Sequence, residues 1–400
     1  MKDNFKIAFV SGGLQFGGST TFLVNLANGL KSLGVATAAF SFTRENPFAA
    51  DFAALGVPVH TSDAERFIFE DRLTAIYEHV SRFNPAAVIA NIGDDAYEFL
   101  RYVPQGVTRI GMVHDTAMGP RRIVPLYEDV LSGVAVVNTH LADEVKSAAP
   151  KVPCRYVAHG IPIPDESLVR DTNPRGPLRI IYFGRLAEGK GTRIFPAIID
   201  QLHERQIPFR WTFHGTGPDE EFLRTRLSAE IAAGEVVMSS PVARDELFPI
   251  VRRHDVFIMA SEIEGGPLTL LETMALGLVP VCNDIPCLIQ EVIHPDNGFC
   301  IPREPRHYAD SLAILHRNRT QLEQMSTAAR KIISAAYSTQ AMAERYLAFI
   351  NCLASKSGAI SWPATIKPKA IRGSALTRIS QSGGIARQVR RLLKARKRST

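Results

Sequence analysis

The sequence predicts an α/β protein built from two doubly wound parallel-sheet domains. Three observations lead there. Short β-forming apolar runs alternate with segments whose apolar residues recur at helical spacing. The glycine-rich loops and charged motifs follow the strands. The whole series runs twice, on either side of a polar, proline-containing stretch at Pro164–Pro177. Strands that alternate with helices form parallel sheets joined by crossover helices. A chain of 400 residues has room for two such domains, expected over 1–168 and 176–336.

In the first series, Ile7–Ser11 is a strand and glycines follow at 12, 13, 17 and 18. Phe22, Leu23, Leu26, Ala27, Leu30 and Leu33 then mark a helix that Gly34 stops. Further strands are expected at Ala87–Ile92, Arg109–Val113 and Gly133–Val137, with helices through Arg72–Phe83 and after Thr139. In the second series, strand Arg179–Phe183 runs into Gly184, and Phe209–Phe213 runs into His214–Gly215. Val236–Met238, Val256–Ala260 and Val279–Cys282 follow, with helices between them. No internal repeat of solenoid length is present.

Composition supports a globular chain: 46% of residues are hydrophobic and 22% are charged. No apolar run reaches the roughly 18 residues of a spanning helix. Met1–Val10 lacks the architecture of a signal peptide, so a cytoplasmic location is expected. Cys154, Cys282, Cys287, Cys300 and Cys352 are odd in number and irregularly spaced, which reads as free thiols. The charge is uneven. Residues 355–400 hold twelve Lys and Arg and no Asp or Glu, leaving 34 basic against 40 acidic residues in the body. The net charge of +6 therefore belongs to the tail.

Open α/β sheets bind ligands at the carboxyl ends of their strands, and three motifs stand there. Gly12-Gly13 with Gly17-Gly18 permits close approach of backbone to an anion at a helix start, or is a plain tight turn. It is neither a Walker A loop nor a clean dinucleotide fingerprint. Gly184-Arg185 with Lys190-Gly191 sets two cations in a glycine-rich loop, suited to a diphosphate; a solvated loop pair is the alternative. The third and most informative motif is Ser261–Gly277. Glu264 precedes a helix with Pro267 in its first turn, and Glu272 lies about a turn and a half inside it. The first-turn amides suit phosphate and the carboxylates suit sugar hydroxyls. A hydrolytic acid–base pair is the competing reading.

These residues resemble a known family. Glu264-Gly265-Gly266-Pro267, Glu272, Met274-Ala275, Gly277 and Pro280-Val281 look like the E-x7-E signature of retaining glycosyltransferase family 4, the glycosyl transferases group 1, with the GT-B fold. Phe183-Gly184-Arg185 with Lys190-Gly191, and His214-Gly215-Thr216-Gly217-Pro218, resemble two further motifs of that family. His159-Gly160-Ile161-Pro162 resembles its N-G-I-D segment, with His for Asn. Val113-His114-Asp115 is similar to its N-domain histidine. Tyr337–Cys352 looks like its final helix returning to the first domain, over 337–353.

The resemblance implies a GT-B fold, two Rossmann-like domains facing a cleft, and transfer of a hexosyl group from a UDP- or GDP-sugar to a glycan or lipid-linked acceptor in envelope or exopolysaccharide synthesis. It implies that Arg185 and Lys190 neutralise the donor diphosphate and that Glu272 binds the ribose. Glu264 would contact the transferred sugar, beside the amides of Gly265, Gly266 and Leu268. Gly215 and Gly217 would lie near the base. Gly17 and Gly18 would close over the phosphates, and His114 would serve the donor sugar or the reaction centre. No cofactor or metal is implied, the nucleotide sugar being a co-substrate. Two departures, Ser19-Thr20-Thr21 where an acidic residue is usual and His159 for Asn, are expected to leave the donor core untouched. A nucleotide-sugar 2-epimerase of the same architecture and a non-catalytic nucleotide-sugar binder are the alternatives.

Outside these motifs, Asp94-Asp95 reads as a cap or turn. His60, His79, His140, His203, His254, His294, His307 and His316 read as structural or solvated. Arg121-Arg122 reads as a solvated pair or a contact for an acceptor phosphate. Residues 355–382 read as a linker. From Gly384, Ile385, Val389, Leu392 and Leu393 fall at helical spacing among arginines and lysines. A basic amphipathic segment over 384–400 suits an anionic membrane surface, which would place the protein peripherally on the inner face. Nucleic acid is the rival, disfavoured because the body is acidic and no aromatic residues interleave with the tail cations.

Overall fold

The computed structural model describes residues 5–62, 69–115, 119–172, 175–242, 244–287, 289–354 and 361–367. The chain divides into two compact units, Met1–Val157 with Thr339–Thr400, and Ala158–Ser338.

The first unit holds a seven-stranded parallel sheet. Its strands are β1 (Lys6–Ser11), β2 (Ala36–Ser41), β3 (Val59–Thr61), β4 (Ala87–Ala90), β5 (Thr108–Val113), β6 (Gly133–Val136) and β7 (Cys154–Tyr156), in the order β3-β2-β1-β4-β5-β6-β7. Ile7 of β1 sits between Thr37 of β2 and Ala87 of β4. The second unit holds six parallel strands: β8 (Leu178–Phe183), β9 (Phe209–His214), β10 (Val236–Ser239), β11 (Val256–Met259), β12 (Val279–Asn283) and β13 (Phe299–Ile301), in the order β10-β9-β8-β11-β12-β13. Both are doubly wound sheets, as the alternation of elements implies.

Four strands were not legible. β3, β7 and β13 are three-residue edge strands, too short to show a period. β2 reads Ala-Thr-Ala-Ala-Phe-Ser, a poor β composition. It is a strand because Thr37–Ser41 is buried beside β1, where the ladder satisfies its backbone.

Helix Thr339–Leu353 belongs to the first unit, where it packs on helix Gly18–Ser32. Gly29 permits this: a Cβ there would stand 2.0 Å from the Thr339 carbonyl oxygen. Tyr346 is buried and its hydroxyl reaches Met112 Sδ at 2.8 Å. The described piece of the tail, 361–367, departs from the linker reading. Trp362 and Ile366 pack against the first core, and the Tyr77 hydroxyl donates to the Pro363 carbonyl at 2.8 Å. An indole that can cover apolar surface outweighs the local Ser/Pro composition. The amphipathic segment 384–400 lies outside the described residues.

The unit boundary falls at Val157/Ala158, ahead of residue 168, because the intervening chain is bonded into the second unit. Ile161 N–H donates to Tyr337 O at 2.9 Å, Arg170 N–H to Leu276 O at 2.7 Å, and Asp171 N–H to Arg252 O at 2.8 Å. The Arg170 guanidinium meets the fully buried Asp255 at 2.8 Å, and Arg179 meets the same carboxylate at 2.7 Å. A buried carboxylate must be paired in this way. Among the described residues no helix is long and apolar enough to cross a membrane, and the five cysteines are unpaired.

Candidate functional site

In each sheet the strand order reverses direction at one place, between β1 and β4 and between β8 and β11. Loops leaving neighbouring strands there diverge and open a crevice. The sequence motifs fall at both places.

In the second unit, β8 ends at Phe183 and its loop carries Gly184 to Gly191; β11 ends at Met259 and its loop carries Ser261 to Pro267. The loops bring Lys190 Nζ to 2.6 Å from Glu264 Oε1. The Ser261 hydroxyl donates to the same oxygen at 2.7 Å. Ser261 is held in turn, its carbonyl accepting from Asn283 Nδ2 at 2.9 Å. The Lys190 side chain is 39% exposed and that of Glu264 12% exposed, so the pair faces solvent from the lysine side. Arg185 is exposed, and among the described residues its side chain makes no hydrogen bond or ion pair. The Tyr182 hydroxyl grips its carbonyl at 2.7 Å. Burial, then the negative charge of Glu264, pushes the Tyr182 phenol upward, which keeps it a neutral donor.

The glycines of these loops serve backbone-to-backbone packing. Gly191 has φ 69°, and a Cβ there would stand 1.8 Å from Ala260 O. At Gly215 it would stand 2.0 Å from Gly184 O, and at Gly217 2.1 Å from Leu186 O. Hydrogen bonds knit the same loops: Gly184 N–H to His214 O at 3.0 Å, Leu186 N–H to Thr216 O at 2.9 Å, Glu262 N–H to Gly189 O at 3.0 Å. The charged residues are thus mounted on a rigid loop sandwich.

Helix Leu268–Ala275 starts one residue later than expected. Pro267 is its N-cap, with φ −66° and ψ 108°, and no side chain caps it. Gly265, Gly266 and Leu268 lie at this start. Glu272 is the fifth helical residue and is 7% exposed. A carboxylate in such a position is retained at a cost in solvation. His159 corrects an expectation: it touches the Glu264–Pro267 segment that the sequence assigned to the donor. Its ring is 3% exposed and Nδ1 lies 3.1 Å from Gly266 O. A carbonyl only accepts, so Nδ1 carries the proton. Burial pushes the imidazole down to about 4, so it is neutral. Sequence inspection flagged the substitution, but only the fold reveals its partner.

In the first unit, Gly17 has φ 152° and caps helix Gly18–Ser32, accepting from the Thr20 and Thr21 amides. Asn91, just past β4, had no sequence signal beyond its place at a strand end. Its Nδ2 donates to Ser19 O at 3.2 Å and its Oδ1 lies 2.6 Å from His114 Nε2, just past β5. Gly17, Gly18, Asn91 and His114 therefore gather at the carboxyl ends of β1, β4 and β5. Phe22 sits edge-on to the His114 ring at 5.1 Å.

Asp94 and Asp95 are not caps: they form the first turn of helix Asp94–Phe99, whose N-cap is Gly93. Asp94 pairs with Arg122 at 2.9 Å and Asp95 with Arg72 at 3.6 Å. Arg121 pairs with Glu144 at 2.8 Å with its side chain 79% exposed, so the two arginines are solvated cations that each meet a carboxylate. His60 and His79 stack at 4.6 Å. Among the described residues no group of three or more His, Cys, Asp or Glu stands together as a metal site.

Residues 166–332 match the family model described as "Glycosyl transferases group 1". A protein of Escherichia coli (strain K12), named provisionally as a colanic acid biosynthesis glycosyltransferase, WcaL, is 32% identical over 148 residues. Those residues cover 35% of this chain and 36% of that one. The chain spans less than half the length of the curated relatives it first matches. Among solved structures, a mutant of S. aureus TarM in complex with fondaparinux, alpha-GlcNAc-glycerol and UDP aligns with a TM-score of 0.71 at 11% identity. The alignment covers 87% of this chain and 100% of that one. Anabaena Alr3699/HepE in complex with UDP-glucose aligns with a TM-score of 0.69 at 16% identity, over 87% and 99%. At these identities the likeness is one of fold: two Rossmann-like parallel-sheet domains of the GT-B class.

Proposed function

We propose that this chain is a retaining, metal-independent glycosyltransferase. It moves a hexosyl group from a UDP- or GDP-sugar to a hydroxyl of a glycan or lipid-linked acceptor in envelope or exopolysaccharide synthesis. The carrying observation is the Lys190–Glu264–Ser261 cluster, beside a helix start with no capping side chain and a buried Glu272 inside that helix. Cation, open amides and oriented carboxylates are the groups a nucleoside diphosphate linked to a sugar needs. The group 1 match over 166–332 covers this same segment.

Arg185 and Lys190 stabilise the charge that develops on the leaving diphosphate. Glu272 holds the ribose and Glu264 orients the sugar. His114 serves the reacting end of the donor, and Gly17 and Gly18 present backbone to the phosphates. Substitution occurs on one face: the C1–phosphate oxygen bond breaks, the acceptor oxygen bonds to C1, and the leaving phosphate takes the acceptor's proton. The protein's share is positioning and charge stabilisation. The basic segment 384–400 would hold the enzyme at an anionic membrane bearing its acceptor.

A thermal-shift panel of UDP, GDP and ADP, with wild type, Lys190→Ala and Glu272→Ala, tests the donor site. A shift with one base, lost in both variants, supports it. No shift with any nucleotide at millimolar concentration removes it. Nucleotide release from the matching sugar nucleotide only when an acceptor is present separates transfer from epimerisation.

A further inference from the structure

The loops after β1 and β2 form a solvent-open pocket of about 600 Å³, lined by Gln15, Phe16, Glu45, Asn46 and Pro47. It lies within the first unit; Gln15 and Phe16 belong to the loop that carries Gly17 and Gly18, but neither of those glycines lines it. We propose that this pocket binds a pyranose ring of a glycan, using Phe16 as a platform. The proposal rests on the glycosyl-transfer reading and extends it by naming where a sugar other than the donor's is held.

Phe16 is 83% exposed, on a loop that is otherwise well held. The Ser11 hydroxyl donates to Gly13 O at 2.7 Å and the Thr20 hydroxyl to Gln15 O at 2.7 Å. A Cβ on Gly13 would stand 3.1 Å from Thr43 Oγ1, so this loop presses on the one after β2. Phe48 from the second loop supports the platform, its ring centroid 5.7 Å from that of Phe16 at a 55° tilt. An aromatic ring exposed to water beside a second one, on a loop whose backbone is held, is a surface suited to an apolar face.

The rim decides what that face belongs to. Glu45 contributes a carboxylate, and Gln15 and Asn46 contribute carboxamides. Among the described residues the Asn46 Oδ1 is buried without a hydrogen-bond partner, a state that a ligand donor would relieve. A pyranose offers an apolar C–H face and a rim of hydroxyls that donate and accept. Carboxylate and carboxamide groups match that rim. An anionic ligand, whether a nucleotide phosphate or an acidic lipid headgroup, would meet the Glu45 charge. Arg44 precedes Glu45 in the chain but does not line the pocket. The volume is in the range of small-molecule sites, roughly 300–1,000 Å³.

Saturation-transfer NMR on the full chain tests this, with methyl α-D-glucopyranoside, methyl α-D-mannopyranoside, methyl β-D-galactopyranoside, maltose and cellobiose as probes. The variants are Phe16→Ala and Glu45→Gln, both at exposed side chains that the fold does not need. At least one glycoside is expected to receive saturation in wild type. Its affinity should fall about tenfold in Phe16→Ala, the scale of one lost aromatic contact, and also fall in Glu45→Gln. Equal saturation in wild type and both variants overturns the proposal, as does no saturation with any probe. So does loss of binding to phosphatidylglycerol–phosphatidylcholine vesicles in Phe16→Ala without any effect on sugars, which would make Phe16 a lipid contact. Nucleotide thermal shifts on the same samples separate the two readings: if they persist while the sugars fail, only this site falls.

Discussion

Lys190 and Glu264 form an ion pair 2.6 Å long across the two loops that leave β8 and β11. The roles proposed for them are separate, one toward the diphosphate and the other toward the sugar. Each offsets the other's charge, so a diphosphate competes with Glu264 for Lys190. Glu264→Gln should therefore bind UDP or GDP about fivefold more tightly than wild type, a partly exposed pair being worth about 1 kcal/mol, while turnover falls. Lys190→Ala should bind more weakly. Titration calorimetry with the bare nucleotide decides; weaker binding in Glu264→Gln would show that the pair is not a competitor.

Glu272 is buried in helix Leu268–Ala275 and assigned to the ribose. Glu272→Ala should weaken nucleotide binding about tenfold with the fold retained, the scale of a hydrogen bond to a charged group. The 2′-deoxy nucleotide should lose a similar factor on wild type and nothing further on the variant. Additive losses would end the ribose assignment.

Asn91 sets the protonation of His114. Its Nδ2 must face Ser19 O, an acceptor, so its Oδ1 faces His114 Nε2, which then carries the proton. Nitrogen-15 NMR of the His114 ring should show Nε2–H in the neutral form. Asn91→Asp places a carboxylate there and should stabilise the imidazolium, shifting the acid limb of the rate profile upward. An Nδ1–H tautomer in wild type would contradict this.

The two units should respond oppositely to acid. In the second, burial lowers His159 and His254 to about 4. The unfolded chain binds protons that the fold refuses, so stability is lost as pH falls from about 6.5 toward 4, by about 3 kcal/mol for each fully resisted histidine. In the first unit, burial raises Asp95 to about 6, a larger shift than the lowering of His60 by burial and the neighbouring His79, which acts the other way. The fold then holds a proton the unfolded chain releases, and that contribution is present below the unfolded value near 3.8 and is lost as pH rises through 6. The two tryptophans report separately: Trp211 lies in the second core, and Trp362 packs against the first. Urea midpoints between about pH 4 and 7, read in Trp211→Phe and Trp362→Phe, should move in opposite directions. Replacing His159 with Asn should flatten the slope of the second unit.

Gly191→Ala meets both a φ of 69° and a carbonyl at 1.8 Å, and should cost about 3 kcal/mol or more. Gly17→Ala meets only the unfavourable φ of 152°, with nothing within 4 Å, and should cost about 1 kcal/mol. Chemical denaturation of the two variants compares them directly; equal costs would refute the loop-packing role of Gly191.

The alternation of strands and helices and the strand ends carrying Arg185, Lys190 and Glu264 were legible in the sequence, whereas the break expected near Pro164–Pro177 falls earlier, at Val157/Ala158. Periodicity and glycine placement are local properties that survive any packing of the elements. Edge strands β3, β7 and β13 were not, because three residues carry no period, and β2 was hidden by its alanines. Trp362 was missed within a segment of linker composition. Asn91 and the contact of His159 with Gly266 depend on residues far apart in sequence, so no spacing encodes them. Residue type and order determined which chemistry the chain carries and at which strand ends. Only tertiary structure decided which groups meet: that Lys190 neutralises Glu264, that Asn91 orients His114, and that Gly191, Gly215 and Gly217 lock loops together. Hydrogen bonds and ion pairs act over a few ångströms in space, and the sheet order alone brings those residues that close.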